Sequence, residues 1–291
     1  GALGWLIVQT LVLYLAVLLP LALFAWWVAR PLSRLTDRAR SFSGNKQAEG
    51  LPEQGPADVR RLIAAFNAMQ ARVGSLLGEK DVMLGAIGHD LKTPLASLRL
   101  RIETLDLADD DEAERDRMVA TVEEMHAMLD DILMLARLGR SSEPMERTDA
   151  KALLSALAED YADQGRSVTF RDDEGARLKP IALRPVLVRR ALRNLIDNAL
   201  LYGQQAELSL DDASDRLTIC VADKGPGVPE ADMEALFEPF RRAEGSRNRA
   251  TGGSGLGLTI ARAIARAHGG DVTLSNRAEG GLVAKFSVPR V

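Results

Sequence analysis

The sequence predicts a multidomain chain in three parts: a membrane-spanning helix, then α-helical hairpins that need partner helices, then an α/β domain. Three observations predict it. No charged residue occurs before Arg30. Apolar residues step by three and four through residues 59–76 and again through 122–136, the seam of helices that pack on helices. From about residue 148, short strand-like runs alternate with helical ones.

The first part is the most apolar. From Trp5 to Val28 only Gln9 and Thr10 interrupt it, and that run exceeds the ~20 residues that cross a bilayer. A signal peptide would carry a basic start and a small-residue cleavage site, and neither is present. A buried core helix would not explain Trp26 and Trp27 at one end with Arg30, Arg34, Arg38 and Arg40 directly after them. Interfacial aromatics followed by arginines mark the cytoplasmic end of a span. The remainder is therefore expected in the cytoplasm, anchored to a bacterial inner membrane. Because the sequence opens with Gly1, an upstream span and sensor domain are expected to precede it.

Bulk properties bound the rest. With 291 residues, two or three modules are expected. A net charge of -4 and the absence of a DNA-reading motif argue against a nucleic-acid partner. The single cysteine, Cys220, excludes an intrachain disulfide and a multi-cysteine zinc site, and its run Leu217-Thr218-Ile219-Cys220-Val221 reads as a buried strand.

Residues 31 to about 78 read as two short amphipathic helices and a connector. The first starts at Pro31, a good first-turn residue, and stripes Leu32, Leu35, Ala39 and Phe42. The connector, 44–56, is Gly/Pro-rich with one apolar anchor, Leu51. The second helix aligns Val59, Leu62, Phe66, Met69, Val73 and Leu76, a heptad seam that dimerisation would complete as a four-helix bundle. A second hairpin follows: a helix from about 79 to 107, an acidic turn at 108–111, and a return helix from 112 to 138. Val122, Met125, Leu129, Ile132 and Ala136 line the return, where the methionines read as core packing. Gly139 to Pro144 is a stop and linker. The α/β part then gives helices at 149–163, 184–201 and 255–268, with strands at 167–170, 206–211, 216–222, 271–276 and 281–288. Residues 244–254 show no apolar pattern and read as a loop beside a site.

Four constellations bear chemistry. His89 lies in a helical pattern with Asp90 beside it, a nucleophilic imidazole with a carboxylate to orient it and take its proton. Pro94, which costs a helix interior about 3 kcal/mol, should bend the helix just beyond. Asn194 and Asn198 stand at i and i+4 on one helical face, where amide oxygens suit hydrated Mg²⁺ and phosphate. Asp223 ends an apolar strand ahead of Gly225 and Gly227, a pocket edge with a carboxylate for an exocyclic amine. Gly252, Gly253, Gly255 and Gly257 lead into a helix, letting backbone N–H groups approach phosphate; the spacing is neither the dinucleotide fingerprint nor a Walker loop. Taken singly, each also reads as ordinary surface or turn. His126 reads as a helix-surface or dimer-seam residue, and His268 as a last-turn histidine favoured by the helix dipole.

In order and spacing these residues resemble the sensor histidine kinases of bacterial two-component systems, most like the osmosensor type. The H-box reads IGHDLKTPL (87–95), the N-box RRALRNLIDNALLYG (189–203), the G1 box DKGPG (223–227), the F-box FEPF (237–240) and the G2 box GGSGLGL (252–258). The resemblance implies a transmembrane helix at 1–29, a HAMP signal-relay domain at 30–78, a dimerisation and histidine-phosphotransfer hairpin at 79–140, a linker at 141–147, and a Bergerat α/β sandwich at 148–291. It implies His89 as phosphoacceptor, Asp90 as its base, and Thr93 as a water-positioning residue in regulator dephosphorylation. Asn198 would ligate Mg²⁺ with Asn194 supporting phosphates, Asp223 and Tyr202 would hold adenine, and Gly225 and Gly227 would shape that pocket. Phe237 and Phe240 would hinge a lid in which Arg242 and Arg247 reach the γ-phosphate, and Gly253, Gly255 and Gly257 would border the phosphates. In one departure, Leu201 stands where many members carry Lys or Arg, so a lid arginine becomes the candidate for that phosphate contact.

The activity implied is autophosphorylation by Mg-ATP, with the homodimer passing the phosphoryl group to a cytoplasmic response regulator docked near Leu98, Arg101, Ile102 and Leu105. Two other classes compete: a Bergerat-fold ATPase without phosphohistidine, for which the H-box is redundant, and a degenerate scaffold, for which intact asparagines and glycines are unexplained.

Overall fold

The computed structural model describes residues 2–40, 50–105, 112–138, 143–172, 179–241 and 254–290. The chain divides into two compact units, Gly1–Met83 and Leu84–Val291, each taken by itself below.

In the first unit, helix α1 (Ala2–Arg40) is the one helix among the described residues long and apolar enough to cross a membrane. Its aromatic-to-basic border closes with the Arg30 guanidinium 4.7 Å from the Trp26 ring centroid, a cation–π contact suited to a headgroup boundary. The helix expected to begin at Pro31 does not begin there: Pro31 lies inside α1. A proline removes one hydrogen bond, and the apolar turns on both sides keep theirs, so the helix runs through. Of the connector, residues 50–56 are described. Leu51 is its anchor through the backbone: its N–H donates to Asn67 Oδ1 at 3.0 Å and its carbonyl accepts from Asn67 Nδ2 at 2.9 Å. Within the single chain Val59 and Ile63 are buried, while Leu62, Met69 and Leu76 of the expected seam stay exposed. Phe42 lies outside the described residues.

Helix α2 (Ala57–Glu103) is one 47-residue helix, not the two expected to meet at 78–79. Nothing at that junction stops it: Leu77-Gly78-Glu79-Lys80 offers neither proline nor cap, and one glycine costs about 1 kcal/mol. In the second unit α2 pairs with α3 (Glu112–Arg137); the turn expected at 108–111 lies outside the described residues. Glycines set the approach. A Cβ at Gly88 would lie 2.4 Å from Leu133 Cδ1, and one at Gly85 would lie 3.2 Å from Arg137 Nη2. Lys92 Nζ meets Asp130 Oδ1 at 2.6 Å across the same hairpin.

The α/β domain adds two strands that periodicity missed, β1 (Glu146–Thr148) and β3 (Ile181–Leu183), which pair antiparallel. Helix α4 (Ala150–Asp163) starts at Asp149, whose Oδ1 accepts from Lys151 N and Ala152 N. The main sheet comprises β2 (Val168–Arg171), β4 (Ala206–Asp212), β5 (Arg216–Ala222), β6 (Asp271–Asn276) and β7 (Leu282–Pro289), in the order β2-β4-β5-β7-β6. Only β2 and β4 run parallel. Helices α5 (Pro185–Gly203) and α6 (Gly257–Ala267) join α4 to cover the sheet. Leu192, Leu195 and Ile196 of α5 and Ile260 and Ile264 of α6 pack with Leu208, Leu217, Ile219 and Phe286 in one continuous core. Alternation on β5 buries Leu217, Ile219 and Val221 and leaves Cys220 only half-buried, opposite the core. Burial still pushes its thiol up. His268 departs from the charged last-turn role. It is buried, its Nδ1 donates to Ile264 O at 2.8 Å, and its Nε2 accepts from Arg184 N at 3.1 Å. Burial lowers its pKa, so the neutral ring fits this place.

Candidate functional site

The sequence-predicted residues fall into two groups. The first is the turn of α2 around His89. His89, Asp90 and Thr93 are all exposed, and Gly88 is buried against α3. One face of this turn is thus fixed while the imidazole next to it stays open. Thr93 Oγ1 donates to the His89 carbonyl at 3.1 Å. Pro94, which has no N–H, leaves the Asp90 carbonyl without its usual helical donor. The stretch is still assigned as uninterrupted helix.

The second group is a pocket edge between α5, the β5 end and the start of α6. Asp223 follows β5 and is 6% exposed. Its Oδ1 accepts from Gly225 N at 2.7 Å and from Leu282 N at 3.1 Å, and its own N–H donates to Leu282 O at 2.9 Å. Both side-chain bonds fall on Oδ1, so Oδ2 keeps its lone pairs for something else among the described residues. Three glycines permit this arrangement. A Cβ at Gly281 (φ +102°) would lie 2.1 Å from the Asp223 carbonyl oxygen, one at Gly203 2.6 Å from Asp223 Cβ, and one at Gly225 2.9 Å from Tyr202 O. Gly225 was read from sequence; Gly203 and Gly281 were not.

Gly227 (φ +74°) turns the loop against Asn276, whose amide holds Val228 on both sides: Oδ1 accepts from Val228 N at 3.0 Å and Nδ2 donates to Val228 O at 2.7 Å. Asn276 is a second residue the sequence did not flag, because it comes from a strand 48 residues away. Tyr202 stands exposed at the end of α5.

Asn194 carries the most pointed sign of a ligand. Its Nδ2 is buried and has no hydrogen-bond partner among the described residues, and a buried unpaired amide costs about 1–3 kcal/mol. Gly257, the first residue of α6, faces it at van der Waals distance. Asn198 lies one turn on, half-buried. Asp197, between them, is otherwise engaged. It accepts from Tyr161 Oη at 2.9 Å and Arg166 Nη1 at 3.0 Å, tying α5 to α4. Burial, reinforced by Asp197, pushes the Tyr161 hydroxyl up.

Past Phe237, whose ring lies 4.3 Å from the Arg262 guanidinium, the chain reaches Phe240. Phe240 sits at φ 64°, a conformation that costs a side-chain-bearing residue about 1–2 kcal/mol. Its N–H donates to Gly255 O at 3.1 Å, and a Cβ at Gly255 would lie 3.0 Å from the Phe240 backbone. The stem on either side of residues 242–253 is closed by this contact. Arg242, Arg247 and Gly253 lie outside the described residues. No hydrogen bond joins His89 to the pocket among the described residues.

Together these features can orient a base at Asp223 and take polyanionic oxygens between Asn194 and the amino end of α6. Three family profiles match the chain: the HAMP domain over 23–75, the His Kinase A (phospho-acceptor) domain over 79–141, and the Histidine kinase-, DNA gyrase B-, and HSP90-like ATPase over 184–291. The chain is 37% identical over 278 residues to the sensor histidine kinase GtrS of Pseudomonas aeruginosa, covering 95% of this chain and 56% of GtrS. It is 33% identical over 290 residues to the sensor protein RstB of Escherichia coli, covering 96% of this chain and 65% of RstB. It thus spans just over half of the one relative and just under two thirds of the other. Full-length ShkA, solved in complex with AMPPNP, shares the fold at TM-score 0.60 and 23% identity, covering 73% of this chain and 46% of that one.

Proposed function

We propose that this chain, which belongs to the bacterial two-component sensor histidine kinases, transfers the γ-phosphoryl group of ATP to His89 and then to an aspartate of a response regulator. The observation that carries the reading is the buried, unpartnered amide of Asn194 facing the glycine-led start of α6, in a chain that also presents an exposed imidazole beside a carboxylate on α2. ATP suits this pocket: Asp223 Oδ2 accepts from the adenine amino group, Tyr202 packs by the base, and Asn194 with Gly255 and Gly257 meets the phosphates. Asn198 is placed to hold Mg²⁺, which would supply charge neutralisation for the spreading negative charge.

His89 attacks in line. A nitrogen–phosphorus bond forms, the bond from γ-phosphorus to the β,γ-bridging oxygen breaks, and ADP leaves. The imidazole proton passes to Asp90. Phe237 and Phe240 hinge the segment carrying Arg242 and Arg247 over the γ-phosphate, and Thr93 positions water when the regulator is dephosphorylated. The exposed seam of Leu62, Met69 and Leu76 supports a homodimer. α1 anchors the chain in the inner membrane with the catalytic part in the cytoplasm.

Incubation with γ-labelled ATP and Mg²⁺ tests the reading. Acid-labile, alkali-stable label that disappears in His89→Ala is expected, with melting temperature unchanged because His89 is exposed. ATP turnover without label on the protein would sink it.

A further inference from the structure

Helix α3 has two opposed faces, and the structure uses both. At about 100° per residue, Met128, Asp131 and Leu135 all lie roughly 140–160° around the helix from Leu133. Leu133 faces α2, where it meets Gly88. Met128 and Leu135, with Leu138 just past the helix end, pack into the core of the α/β domain. α3 therefore stands between that domain and the helix that bears His89.

Asp131 is the polar centre of the outer face. Its side chain is 19% exposed, and its Oδ1 accepts from Arg190 Nη2 at 2.7 Å. Its Oδ2 accepts from Ser254 Oγ at 3.5 Å. Arg190 precedes Asn194 by one helical turn on α5, and Ser254 lies directly before the Gly255–Gly257 entry to α6. The two groups that Asp131 holds thus come from the phosphate side of the proposed ATP pocket. Behind them, the carboxylate of Glu143 caps α5, accepting from Val186 N at 2.7 Å and Leu187 N at 3.2 Å, and the Glu143 carbonyl accepts from Arg184 Nε at 3.0 Å.

We infer that the outer face of α3 is a rest dock for the α/β domain, latched by Asp131 through Arg190 and Ser254, and that transfer to His89 requires its release. The inference rests on the kinase reading above. Docked, the phosphate side of the pocket is turned to the face of α3 opposite α2, and attack by His89 needs phosphorus in line with the imidazole. A docked majority and a released minority form a two-state element, and weakening the dock enlarges the released fraction.

The test uses the full chain in lipid nanodiscs. Asp131→Ala and Arg190→Ala each raise the initial rate of His89 labelling by roughly fivefold, the scale of one close charge pair. The exchanged pair Asp131→Arg with Arg190→Asp returns the rate towards that of the natural chain. Unchanged rates in both single variants would overturn the latch. A fall would overturn it too, since the docked arrangement would then be the productive one. A second readout needs no phosphotransfer. With Cys220→Ala as background, spin labels at Glu124 and Asp163, diluted with unlabelled chain, report a narrow distance distribution that broadens in Asp131→Ala. A distribution that does not change refutes the latch even where no chain is labelled, and a broadening without label refutes only the kinase reading.

Discussion

The two regions that the proposed transfer must bring together are built on opposite terms. On α2, His89 and Asp90 are exposed, and only the glycine next to them is pressed against a neighbour. At the end of β5, Asp223 is enclosed by backbone from three directions, from Gly203, Gly225 and Gly281. An acceptor that must meet ATP and then a regulator gains from an open imidazole. A pocket that must choose one base gains from a carboxylate that cannot turn. Rigidity is thus concentrated where recognition happens, and access where the group changes hands.

Substituting glycines breaks this comparison most directly. Gly281→Ala puts a methyl group where the Asp223 carbonyl stands, at positive φ, and should destabilise the α/β domain by about 3–5 kcal/mol. Gly85→Ala on the hairpin meets only the mobile end of Arg137 and should be neutral or stabilising by up to about 1 kcal/mol. Urea unfolding of both variants reads the contrast, and equal losses would dissolve it. A smaller effect follows from Asn276→Ala, which removes both bonds to Val228. A loss of about 1–2 kcal/mol is expected, with ATP affinity falling while the plateau of His89 labelling holds. A lower plateau at saturating ATP would mean that the loop does more than bind.

The smallest effect is on pH dependence. Burial lowers the pKa of His268, with Arg184 adding to the fall against the Ile264 bond and Glu143. A base whose folded pKa lies below its unfolded value near 6.5 binds fewer protons folded than unfolded. Its contribution is therefore full above that value and fades as pH falls towards the folded pKa. Melting temperature should decline on acidification from neutrality more steeply than in His268→Gln; parallel curves would remove His268 from the account.

How far the sequence could be read depends on how local each constraint is. The uncharged run before Arg30, the step of three and four in α3, and the glycines before α6 are local patterns, and the helices and strands they announce are present. Asn194, Asn198 and Asp223 were legible because their neighbours in the chain are also their neighbours in the pocket. Gly203, Gly281 and Asn276 were not, since each acts on a residue 20 or more positions away through the sheet. β1 and β3 were missed because three residues each hold too little alternation to register. The expected breaks at Pro31 and at 78–79 overrated punctuation: a lone proline or glycine costs a long helix less than its remaining turns return. Cys220 and His268 were misplaced for a related reason, since strand phase and ring tautomer are decided by partners from elsewhere in the fold.

The Phe240–Gly255 contact has a consequence for how this family can vary. Joining the two ends of a segment is normally where a long loop is thermodynamically expensive. Here the ends are already joined by a bond that belongs to the domain and not to the segment. Each doubling in length between them then adds only about 0.6 kcal/mol. The stretch from 242 to 253 can therefore be lengthened, shortened or exchanged between relatives with α6 still starting at Gly257, which makes it the part of the ATP-binding half freest to diverge.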